Sequence, residues 1–270
     1  MKLGLAQQQI DPGTVEVNVD RAETMLCKAA DRGVDLVALP ELFATGYFAF
    51  DSYARTAEPL DGETLTRLRE TAREHGVALL AGSIVEDLQA SAQRGFETPA
   101  EDGYANTAVL FDSDGERQNV YRKHHLFGYG SAEQELLEPG QRLQVAEIGD
   151  FTVGVTTCYD LRFPELYRKL ADRGVSLVLV PSAWPYPRVE HWKLLPQARA
   201  VENLTYVAAV NGVGTFEEST LLGRSTVYDP WGTTLASTGD DPALVTASID
   251  AERVDEVRES FPALEDRREP

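Results

Sequence analysis

The stretch Asp150 to Trp184, DFTVGVTTCYDLRFPELYRKLADRGVSLVLVPSAW, sets a helical segment between two apolar runs. DFTVGVTTC reads as a buried strand, FPELYRKLADRG as a helix and VSLVLVPSAW as a second apolar strand. The same rhythm extends in both directions. Upstream come the strand KLGLAQ, an amphipathic helix from about Val17 to Arg32, and the apolar run VDLVALP. GETLTRLRETAREHG then ends at Gly76 and hands over to VALLAGSIVE, and YANTAVLF and GERQNVYRK form a hairpin around the turn DSDG. Downstream, the helix HWKLLPQARAVEN leads into LTYVAAVNGVG, followed by short strands in STVYDPWGTTLAST and ALVTASID and a helix from about Ala251 to Ser260. The fold class is α/β.

No internal repeat or composition break divides the chain, so a single domain over residues 1–270 is expected. The polar, aperiodic stretch from about Asp87 to Gly103 reads as an exposed, mobile insertion between two strands. The charged end EDRREP, within a tail over about 260–270, is placed to reach a partner subunit.

Composition narrows the function classes. No apolar run approaches the roughly 20 residues that cross a bilayer, and MKLGLAQQQID is too short in apolar length for a secretory signal; a cytoplasmic location is expected. A net charge of −19 removes nucleic acid and anionic membrane as partners. Five of the 25 basic residues are lysine, leaving 20 arginines against 44 acids. Such a surface suits concentrated salt, where screening weakens self-repulsion. With two cysteines, Cys27 and Cys158, a disulfide scaffold is not expected. Cys27 falls among apolar residues at helical spacing and reads as a small buried hydrophobe.

Cys158 is different: it ends a β-branched strand just before a helix that begins near Phe163 or Pro164. Backbone N–H groups there lower a thiol pKa and supply donors to an oxyanion. Glu41, in VDLVALPELF, follows a strand and sits among Leu39, Leu42 and Phe43, where desolvation raises a carboxyl pKa toward that of a general base. Lys123, in NVYRKHHLFG, is a rare lysine at a strand end, and a compact ammonium stabilises an oxyanion at close range. The four histidines show no metal-ligand spacing, so no metal and no cofactor are expected.

Taken in order, LPELF, YRKHHLF and CYDLRFPELYR resemble the Glu, Lys and Cys motifs of the nitrilase superfamily of carbon–nitrogen hydrolases. Lys123 follows Glu41 by 82 positions and Cys158 follows Lys123 by 35. YANTAVL, EPGQ, HWKLLPQARAVEN, GRSTVYDPWG and the terminal DRR extend the likeness over nearly the whole chain.

The resemblance implies a four-layer α-β-β-α sandwich with the site at the strand ends, assembled as a homodimer or larger homo-oligomer. It implies a Glu41–Lys123–Cys158 triad that hydrolyses a small amide through a thioester, with the backbone N–H of Tyr159 as a second oxyanion donor. A second active-site glutamate is matched by Glu133, with Glu135 as the alternative register. CYD is similar to the amidase branch that cleaves ω-amides of carboxylic acids. A nitrilase, an N-carbamoyl amino acid hydrolase or a non-catalytic member would carry the same fold. Arg162 or Arg188 would meet a substrate carboxylate, unless Arg162 braces Asp160 or Glu165. Tyr47, Phe48 and Trp184 are candidate pocket walls.

Overall fold

A computed structural model describes residues 1–268. The opening strand–helix–strand stretch is realised as Phe151–Val155, Pro164–Ala171 and Leu177–Ser182, with the two strands parallel and Val153 opposite Leu177. Together with Val145–Ile148, Tyr206–Asn211, Thr226–Tyr228 and Thr234–Ser237 they form a six-stranded sheet. A seven-stranded sheet is built around Lys2–Gln7, Leu36–Ala38 and Ala78–Leu80, which run parallel, with Ala243–Ser248 on one side and the hairpin Tyr104–Phe111 and Arg117–Arg122 on the other.

The layering follows from period-two alternation of side chains along each strand. Leu3, Leu5, Leu36, Ala38, Ala78, Leu80, Ala108 and Leu110 point one way, into a core shared with Val153, Val155, Leu177 and Leu179 of the other sheet. Ala6, Val37, Leu39, Leu79, Val109 and Phe111 point the other way, onto Val19, Ala22 and Leu26 of the helix Val15–Asp31 and Leu65 and Leu68 of Glu63–Glu74. Pro164–Ala171 and Val189–Asn203 cover the outer face of the six-stranded sheet. The four-layer α-β-β-α sandwich is therefore the observed architecture.

Several local expectations change. VALLAGSIVE divides into Ala78–Leu80 and Ile84–Asp87, because Gly82 turns the chain at φ +34°; a Cβ there would lie 1.9 Å from the Pro40 carbonyl oxygen. The expected insertion is not featureless. Leu88–Gln93 is a helix whose N-terminal Ala90 N–H donates to Asp87 Oδ1 at 2.8 Å, and buried Ser91 accepts the Leu60 N–H. Exposure is concentrated in the following residues, 94–103. Cys27 is half-buried, at the margin of its helix's apolar face, with its sulfur 3.5 Å from His75 Nε2. Within the tail, Arg267 pairs with Asp172 at 2.6 Å; residues 269–270 of that expected tail lie outside the described residues.

Candidate active site

Four strand ends converge between the sheets. Leu36–Ala38 leads to Glu41, Arg117–Arg122 to Lys123, Phe151–Val155 to Cys158 and Leu177–Ser182 to Ala183. The approaches to Glu41 and Lys123 are fixed by close backbone packing. Besides the Gly82 contact, Ser83 Oγ accepts the Leu42 N–H at 2.9 Å. Gly140 donates its N–H to the Lys123 carbonyl at 2.9 Å, and a Cβ at Gly140 would lie 2.0 Å from the Arg122 oxygen. Cys158 opens the 3₁₀ turn Cys158–Arg162 at φ +46°, a left-handed conformation rare for a residue with a side chain.

Lys123 Nζ lies 2.8 Å from Glu41 Oε1, and 2.8 and 2.9 Å from the two oxygens of Glu133. Asn106 Nδ2 bridges the same carboxylates, donating to Glu41 Oε1 at 2.8 Å and Glu133 Oε1 at 3.1 Å. Glu41 Oε2 accepts the Ala183 N–H at 2.9 Å. Glu133 also accepts the Tyr47 hydroxyl at 3.0 Å and the Phe127 N–H at 2.7 Å. Glu135, the alternative register, is exposed. Two carboxylates and an ammonium are thus removed from water, each at a cost of several kcal/mol. Such a cluster adds little net stability, so its presence points to chemistry.

Burial raises the Glu41 pKa against the pull of Lys123, with the Glu133 charge adding to the rise. Burial disfavours the charge on Lys123, but Glu133 and Glu41 overcome it and hold the ammonium well above its ordinary range. The expected acidic thiol is not found. Burial first, then the Glu41 carboxylate, push Cys158 well above a free thiol. A 3₁₀ turn, rather than an α-helix N-terminus, follows Cys158, and its dipole is too short to reverse these effects. These surroundings favour the protonated thiol, so any attack by Cys158 would call on an adjacent base.

Cys158 is 8% exposed and opens onto a narrow pocket lined by Tyr47, Phe48, Tyr159, Arg162, Trp184 and Arg188. Trp184 is a fixed wall: its N–H donates to Asn211 Oδ1 at 2.8 Å and its indole Nε1 to the Arg188 carbonyl at 3.1 Å. The Arg162 guanidinium lies 5.2 Å from the Trp184 ring and 3.1 Å from His191 Nδ1. It does not brace Asp160, which is held instead by Tyr121, His125 and Thr157. A larger groove of about 240 Å³ beside Arg117 and Phe96 contains neither the cysteine nor the paired carboxylates, and the reactive groups therefore assign the site to the smaller pocket. No group of His, Cys, Asp and Glu among the described residues could hold a metal ion. Asn106, Ser83 and Phe127 were not singled out from the sequence; Asn106 lay within YANTAVL and Phe127 within YRKHHLF, whereas Ser83 carried no signal.

A family model described as carbon-nitrogen hydrolase matches residues 2–259. A 2-oxoglutaramate amidase of Paenarthrobacter nicotinovorans is 36% identical over 99% of this chain and 92% of the relative. Among solved structures, XC1258 from Xanthomonas campestris, a CN-hydrolase superfamily protein with an arsenic adduct in its active site, superposes with a TM-score of 0.88 at 31% identity, covering 100% of this chain and 98% of that one. A mutant of the amidase from Nesterenkonia sp. AN1 superposes with a TM-score of 0.82 at 30% identity, over 99% and 94% of the two chains; that structure shows covalent addition of the acetamide moiety of fluoroacetamide at the active-site cysteine.

Proposed function

The chain belongs to the carbon–nitrogen hydrolase family, and from that premise we propose that it is an amidase that releases ammonia from the ω-amide of a small carboxylic acid, with Cys158 as nucleophile. The observation that carries the reading is the contact of buried Glu41 with Lys123 on one oxygen and the Ala183 N–H on the other, beside a neutral thiol. Glu41 accepts the Cys158 proton as sulfur adds to the amide carbon. Protonation of Glu41 weakens its hold on Lys123, freeing an ammonium hydrogen for the oxyanion alongside the Tyr159 N–H. The C–N bond then breaks, Glu41 returns the proton to the departing nitrogen, and a Cys158 thioester remains. Water, deprotonated by Glu41, hydrolyses that thioester to the acid and restores the thiol. Glu133 keeps Lys123 charged and aligned throughout.

Arg162 and Arg188, half-buried at the pocket mouth, supply the cations that a substrate carboxylate requires. Their position favours an ω-amide with an acid at its far end over a nitrile or a carbamoyl amide. Residues 1–270 would act as one catalytic domain. The enzyme is read as cytoplasmic, where a reducing poise suits a free nucleophilic thiol; among the described residues no helix is long and apolar enough to cross a membrane. Leu194 and Val201, seven residues apart on Val189–Asn203, are 62% and 47% exposed, as are Trp231 at 43% and Phe261 at 50%. This apolar face supports a homo-oligomer formed helix layer to helix layer.

The test is ammonia release from a panel of ω-amides, nitriles and N-carbamoyl amino acids, with Cys158→Ala as control. Activity on ω-amides that vanishes in the variant is the expected result. Preference for nitriles, or turnover without the sulfur, would overturn the reading.

A further inference from the structure

Cys158 and Lys123 belong to different sheets, and the interface between those sheets is apolar. Apolar burial is non-directional. It opposes separation of the layers but gives little precision along them, and a misplacement of about 1 Å at a reacting centre can cost about 10²-fold in rate. A directional tie must set the thiol against the ammonium.

Asp160 has the geometry of that tie. It is fully buried and has no lysine or arginine partner among the described residues. Its Oδ2 accepts the Tyr121 hydroxyl at 2.6 Å and the Thr157 N–H at 2.9 Å. Its Oδ1 accepts the His125 backbone N–H at 3.0 Å and lies 2.7 Å from His125 Nδ1. Tyr121 and His125 stand two residues on either side of Lys123, and Thr157 immediately precedes Cys158. Each bond of this carboxylate therefore ends within two residues of the ammonium or the nucleophile.

We infer that Asp160 is a positioning residue that holds the Cys158 turn in register with Lys123 across the sheet interface, with Tyr121 and His125 as its anchors. The inference rests on the roles proposed above for Cys158 and Lys123. The His125 ring lies flat on Phe163, with centroids 3.5 Å apart and planes at 8°, so it grips the far end of the same turn. Burial and the adjacent Asp160 charge raise the Tyr121 phenol well above its usual range, which keeps it a donor. A buried carboxylate satisfied in this way is costly to disturb on one side only, because each donor left behind faces an empty position.

The experiment compares Asp160→Asn, Tyr121→Phe, His125→Ala and His125→Asn in the full chain, by steady-state ammonia release and thermal unfolding. Asparagine at 125 keeps a donor near the place of Nδ1, whereas alanine does not. Tyr121→Phe and His125→Ala should each lower kcat about 10-fold and Asp160→Asn about 100-fold, with KM changed by less than about 3-fold. His125→Asn should recover most of the loss while matching His125→Ala in Tm. If Asp160→Asn does not fold, the other three variants carry the test. Wild-type kcat in Tyr121→Phe and His125→Ala, or equal losses in both His125 variants that track Tm, would overturn the inference. Activity surviving in Cys158→Ala would instead overturn the nucleophile itself.

Discussion

Lys123 meets both oxygens of Glu133 but one oxygen of Glu41, at 2.8, 2.9 and 2.8 Å respectively. Glu133 therefore takes the larger share of the ammonium's charge. Glu41 leaves Oε2 outside the ammonium's reach, where it accepts the Ala183 N–H.

Glu133→Gln should leave Lys123 with Glu41 as its only carboxylate partner in this cluster, strengthening that pair and weakening Glu41 as a base. A fall in kcat of about 100-fold is expected in steady-state ammonia release. Glu133→Ala should additionally lose about 3–5 kcal/mol in denaturant unfolding, because it strands buried charge.

Glu41→Gln removes the base and, with it, a charge that raises the thiol pKa. Turnover should fall by a factor of about 10²–10⁴, while a haloacetamide still alkylates Cys158. Intact-mass measurement checks this; an unmodified variant that nevertheless turns over would contradict the assigned base.

The acid limb of kcat/KM should lie above the ordinary glutamate value of 4.5, since Glu41 must be ionised to act and burial raises its pKa. The stability sign follows from the same shift. A carboxyl with a raised folded pKa binds its proton more tightly in the folded state, so its contribution is full below 4.5 and declines as pH rises through the folded value. Relative to wild type, Glu41→Gln should thus gain in unfolding free energy as pH increases.

Arg162→Met and Arg188→Met should raise KM for an ω-amide bearing a terminal carboxylate by about 10–100-fold, the range of a lost charge-assisted hydrogen bond. A neutral aliphatic amide should show no such change. Equal effects on both substrates would show that the arginines shape the pocket rather than read charge.

With a net charge of −19, the folded chain carries self-repulsion that dissolved ions screen. Raising salt from about 0.05 M to about 1 M shortens the Debye length to about 3 Å and should raise Tm by several degrees. Full activity and an unchanged Tm in dilute buffer would remove salt adaptation.

Glu41 and Cys158 were legible in sequence because each follows an apolar strand with a residue type out of place there, Lys123 because it is a rare lysine at the end of the polar strand Arg117–Arg122, and the three together because their motifs occur in order. Asn106 was not, because it lies within the strand Tyr104–Phe111, and only the pairing of Thr107 with Arg122 and Val85 with Asn106 shows where it sits relative to Lys123 and Glu41. The two-sheet layering was likewise beyond periodicity: alternation gives two apolar faces per strand but not which layer each face meets. The thiol's acidity was misjudged because residue order reveals a following turn but not the depth of burial. The same limit applies to Cys27, whose helical spacing suggested burial at the edge of a face that is in fact half open.

The left-handed backbone of Cys158, at φ +46°, has an evolutionary corollary. A residue with a side chain is disfavoured there by roughly 1–2 kcal/mol relative to glycine. Selection for turnover therefore acts against fold stability at this position. In descendants released from that selection, glycine should be an early replacement for the sulfur, so copies that have lost the proposed chemistry would be recognisable by a more robust fold.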